Sequence, residues 1–100
     1  MKEFFKNTNV YILNYINVYN DIMLQKDILN KIVIERNRQD DKWGPQNHEI
    51  YKWLAILGEE VGEANKAALE QDLNGLLDEL VQVAAVSVAM IESIKRNMKD

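Results

Sequence analysis

The side chains of this chain best suited to chemistry are carboxylates set at short, regular intervals. Residues 57–67, LGEEVGEANKA, carry Glu59, Glu60 and Glu63, and residues 76–85, LLDELVQVAA, carry Asp78 and Glu79 with Gln82 three residues further on. Residues three and four apart share a helix face, so Glu60 and Glu63 lie about 60° apart around the axis, as do Glu79 and Gln82. Such crowding is costly. The like-charged i,i+4 pair Glu59 and Glu63 loses about 0.2–0.5 kcal/mol, and Gly58 and Gly62 each lose about 1 kcal/mol against alanine inside a helix. A hard divalent cation between the carboxylates removes the repulsion. Mg2+ takes oxygen ligands in an octahedral shell that waters and substrate phosphates complete, and the glycines would let a ligand or another helix approach the backbone. Glutamates are common on helix surfaces without any such role. Glu79 differs from that background, because it sits among Leu77, Leu80 and Val81, where a solvated charge is unexpected.

Cationic and aromatic side chains nearby suit a phosphorylated, heteroaromatic ligand. Lys66, three residues beyond Glu63, could meet a phosphate or pair with Glu63 or Glu70. Arg36, Arg38 and Lys42 flank a loop and could reach a triphosphate, or remain solvated charges. Trp43, in DKWGPQ, could stack on a nucleobase or plug the end of a helical bundle; base stacking on an aromatic ring is worth about 1–3 kcal/mol. His48 is expected in the first turn of a helix, and Trp53 in the core.

The elements that must position these residues are helical throughout. Ile12, Tyr15, Ile16, Tyr19, Ile22 and Met23 recur at spacings of three and four within residues 9–25, and Ile28, Leu29, Ile32 and Val33 continue the pattern as the same helix or a second one. Gly44 and the sole proline, Pro45, mark a loop over residues 40–47. Asn47 can cap the next helix, residues 48–70, with Glu49 in its first turn. Asp72 or Asn74 can cap the last, residues 73–97. That helix contains VAAVSVAMI, residues 83–91, in which only Ser87 is polar. A helix apolar on nearly all sides must be covered on nearly all sides, which predicts that a second copy of the chain packs on it. A short connection between the last two helices allows them to form an antiparallel hairpin in which the carboxylate pairs face each other.

Composition narrows the function classes. One hundred residues, 47% apolar and 28% charged, suit one globular domain. With no cysteine and one histidine, disulfides and thiolate or histidine-rich metal sites are excluded, leaving a hard, oxygen-bound cation. A net charge of -4 without a basic cluster argues against a stable nucleic-acid complex. No run approaches the 18 or so apolar residues of a membrane span, and residues 1–20 lack a small-residue cleavage site, so a cytoplasmic protein without a membrane partner is expected.

EEVGE at 59–63, fifteen intervening residues and ELVQ at 79–82 resemble the EExxE and ExxD signature of the MazG-like, all-α nucleoside triphosphate pyrophosphohydrolases, a superfamily that includes the dimeric deoxyuridine triphosphatases. The likeness extends over residues 35–93, through RQDDKWGPQNHEIYKWLAILGEE and DELVQVAAVSVAMIE. Residues 1–27 lie outside the likeness and are expected as an N-terminal helical extension; the likeness implies a MazG-like helical domain, residues 28–100, completed by homodimerisation or by pairing of dimers into a tetramer. It also implies Mg2+-dependent cleavage between the α and β phosphates of a nucleoside triphosphate, giving the monophosphate and pyrophosphate, with Mn2+ as an alternative ion. Carried over by position, Glu60, Glu63, Glu79 and Gln82 are the metal ligands and Glu59 and Glu60 the catalytic carboxylates, while Lys66, Trp43, Lys42 and Arg36 remain the substrate-binding candidates. Gln82 stands where the pattern has Asp and brings no charge, so Gln82→Asp is expected to strengthen Mg2+ binding. The alternative is a non-catalytic helical interaction protein that keeps the fold with weakened metal binding.

Overall fold

The computed structural model describes residues 2–98, with side chains from residue 9 onward. These residues form three helices and no strand: α1 (Lys2–Trp43), α2 (Ile50–Leu69) and α3 (Leu73–Asn97). The chain divides into two units, Met1–Asn30 and Lys31–Asp100. The first contains only the N-terminal part of α1, and its side chains from residue 9 onward are all exposed. The second holds the rest of α1 with α2 and α3.

The two apolar stretches of the N-terminal half are one helix, because QKDILN contains neither glycine nor proline to break it. The expected loop at residues 40–47 is shorter than the sequence suggests: Lys42 and Trp43 belong to the last turn of α1. Gly44 ends that helix with a left-handed φ of 67°, and its N–H donates to the Asp40 carbonyl at 2.8 Å, the one-bond cap such a backbone makes.

The start of α2 also differs. Asn47 does not cap it, because its side-chain oxygen accepts from Arg96 Nε at 3.1 Å while the Gln46 carbonyl accepts from Arg96 Nη2 at 3.0 Å. Glu49 caps instead, its carboxylate accepting from the Lys52 and Tyr51 amides at 2.7 and 3.3 Å, so α2 begins at Ile50 and His48 lies outside it. At the other end the Asp72 amide donates to Ala67 O and the Gln71 amide to Ala68 O, with Gln71 in the left-handed region at φ 57°. This paired cap usually carries glycine. Asp72 then caps α3 by accepting from Gly75 N–H at 2.9 Å, and a Cβ at residue 75 would collide with the Asp72 carboxylate.

α2 and α3 pack together through Trp53, Val86 and Ala89, flanked by Ile56, Leu57 and Met90. Ala64, Ala67 and Ala85 are also buried, and such small side chains let two helix backbones approach closely. Residues 31–43 of α1 are tied to α3 by Arg36, whose guanidinium donates to Glu92 at 2.9 Å. Burial opposes the Arg36 charge, but Glu92 and Asp40 more than offset it and raise its pKa. The outer face of α3 stays apolar and open, with Leu73, Leu77, Leu80 and Ile91 exposed. Among the described residues Gly58 and Gly62 do not serve a close approach, since nothing lies within 4 Å of a Cβ built on either.

Candidate metal centre

Because α2 and α3 run antiparallel, Trp53 meets Ala89 near one end of the hairpin and Glu60 and Glu63 meet Glu79 nearer the other. Glu60, Glu63 and Glu79 each offer a carboxylate oxygen, and the three lie within 4.8 Å of one another. Ligand oxygens around Mg2+ are about 3–4 Å apart, given bonds of about 2.0–2.1 Å, so a slight contraction of this cluster would fit one cation. Two further observations bear on the fit. Glu60 is pushed up to about 7, by burial first, then by a hydrogen bond with Glu79 and the charges of Glu63, Glu79 and Glu59. Glu79 Oε2 is buried without a hydrogen-bond partner, and a buried acceptor left unmade costs about 1–3 kcal/mol. Both penalties are of the kind that a divalent cation relieves.

Beside the cluster, Glu60 and Gln82 open into a cleft of about 330 Å³ whose other walls include Trp43, His48 and Trp53. His48 meets Trp53 edge to face at 4.7 Å between ring centroids, and the Trp53 indole N–H is buried without a partner. On the other side, Lys66 shares a second groove with Glu63, Glu70 and Glu79. Three carboxylates thus lie between an aromatic-walled cleft and a lysine.

The expected site residues fall into three groups. Glu60, Glu63 and Glu79 come together as a cluster, with Lys66 on one flank and Trp43 on the other. Glu59 is exposed and outside the cluster, acting on Glu60 through its charge. Gln82, Arg36 and Lys42 are engaged elsewhere. Gln82 Oε1 accepts from Gln39 at 3.4 Å, and its side chain helps to lower the pKa of Glu35. The Arg36 donors go to Glu92, Gln39 and Asp40, and the Lys42 ammonium lies 4.6 Å from the Trp43 ring centroid. Asp78 lines a different groove, with Glu35 and Arg38.

Sequence reasoning missed Glu35. It is 8% exposed and is held below the usual carboxylate range by its hydrogen bond from Arg38, against the cost of burial, with Gln82 and the Arg38 charge contributing further. Its one signal was a glutamate directly after the apolar run IVI. Gln39 and Gln46, which add amides to the aromatic cleft, gave no signal at all. In comparisons with known proteins, no family model, no curated protein and no solved structure matches this chain.

Proposed function

We propose that the protein is a divalent-cation-dependent nucleoside triphosphate pyrophosphohydrolase, cleaving between the α and β phosphates. The observation that carries this reading is the convergence of Glu60, Glu63 and Glu79 from two helices, with oxygens within 4.8 Å, beside an aromatic-walled cleft. These three carboxylates would hold Mg2+, or Mn2+ on the same oxygens. A bound divalent cation neutralises phosphate charge and acidifies a coordinated water. Glu59, exposed and next to Glu60 in sequence, would orient the attacking water and take its proton. A new bond forms from the water oxygen to the α phosphorus, and the bond to the bridging oxygen breaks, releasing pyrophosphate. Lys66 offers an ammonium to the departing phosphates, and Trp43, with half-buried His48 beside it, would provide a flat surface for a base.

The same reading includes a homodimer that covers the outer face of α3, where Leu73, Leu77, Leu80 and Ile91 are exposed. One observation favours a second reading, a helical interaction protein with weakened metal chemistry: Gln82 is neutral and directed to Gln39 and Glu35 of α1. Pyrophosphate release from a panel of canonical and modified nucleoside triphosphates separates the two. The enzymatic reading expects turnover that requires Mg2+ and is abolished in Glu60→Ala. Absence of turnover on every nucleotide, together with no Mg2+ binding, would leave the interaction protein.

A further inference from the structure

Residues 9–30 form a helical stretch with no core of its own, every side chain exposed. Isolated helices are marginal in water and take their stability from packing an amphipathic face, so something outside this unit must cover it. One stripe of it is regularly patterned. Ile12, Tyr15, Tyr19, Ile22, Lys26 and Leu29 follow steps of three and four in strict alternation, which is the 3.5-residue repeat of a coiled-coil seam. Lys26 is its one polar member. The far side carries Asn14, Asn17, Asn20, Asp21 and Asp27 together with Val10, Leu13, Leu24 and Ile28.

We propose that this seam pairs with the same seam of a second copy of the chain. The apolar seam residues are between 47% and 74% exposed. With Ile16 and Met23 beside them they present roughly 800 Å² per copy, about what each partner buries in a standard interface. A 3.5-residue repeat is the geometry of a helical partner carrying the same repeat, and a single lysine in the seam is a device that limits register. Residues 9–30 carry only Asp21, Lys26 and Asp27 as charges, too few cations to hold an anionic membrane surface or a nucleic acid. The pairing is independent of the catalytic reading and of the outer face of α3.

The chain has no cysteine, which makes the test direct. Ile22→Cys is expected to give a disulfide-linked dimer on mild oxidation, whereas Asn17→Cys, on the far side of the helix, is not. In sedimentation equilibrium Ile22→Glu is expected to weaken self-association by about a hundredfold or more, because a charge is buried in an apolar seam, while Asn17→Glu leaves it unchanged. No crosslink at residue 22, equal crosslinking at residues 17 and 22, or an Ile22→Glu chain that associates as tightly as the parent would each overturn the proposal.

Discussion

At the residue scale, Glu60 is the group whose titration reports the cluster. Its folded pKa is about 7 against an ordinary 4.5, so between those values the folded chain keeps a proton that the unfolded chain releases. By linkage this makes the metal-free protein lose stability as pH rises from 4.5 to about 7, with no further loss above. Urea midpoints in a chelator should show that decline relative to Glu60→Gln, and saturating Mg2+ should remove it. A profile parallel to that of Glu60→Gln would mean that Glu60 is not crowded by its neighbours. Gln82 gives a second prediction. Its oxygen accepts from Gln39 and its side chain helps to lower the pKa of the buried Glu35 carboxylate, so Gln82→Asp would set one carboxylate against another. A loss of about 1–3 kcal/mol in denaturant unfolding is expected, in place of the gain in Mg2+ affinity that the motif alone suggests. Unchanged stability with tighter Mg2+ binding would show that residue 82 turns toward the cluster. The spacing of Glu60, Glu63 and Glu79 was legible in the sequence because helical periodicity places such residues on one face. The engagement of Gln82 was not, because it depends on partners more than forty residues away.

At the element scale, local chemistry and tertiary partners divide the work. The bounds of α3 follow from its own residues: Asp72 caps its start, and Lys95 and Arg96 stand in its last turn, where cations suit the helix end. The start of α2 does not, because Asn47 is a good cap by type but is claimed by Arg96 at the far end of α3, leaving the role to Glu49. The α2–α3 connection holds a correctable flaw. Gln71 adopts φ 57° in a cap where glycine is at ease, and a side chain in that region costs about 1–2 kcal/mol. Gln71→Gly is therefore expected to stabilise the protein by about 1 kcal/mol and raise its thermal midpoint by a few degrees. A lower midpoint would indicate that the Gln71 side chain contributes more than its backbone costs.

At the scale of the whole molecule, the second unit has a small core built around Trp53, Val86 and Ala89, while apolar side chains on α3 remain uncovered. Periodicity made the all-helical class and the surplus apolar surface legible, but what covers that surface depends on association rather than on one chain. Leu80→Glu is expected to lower the assembly state in sedimentation without loss of α2–α3 packing, since Leu80 is 49% exposed within the chain; an unchanged assembly state would place the α3 face outside the interface. The proposed chemistry requires that two helices of one hairpin hold a divalent ion between their carboxylates. The most direct measurement is calorimetric titration of Mg2+ into the unchanged protein and into Glu79→Gln above pH 7. Saturable binding that weakens by tenfold or more in the variant is the predicted result. Absence of saturable binding in the unchanged protein, or equal affinity in both, would contradict it.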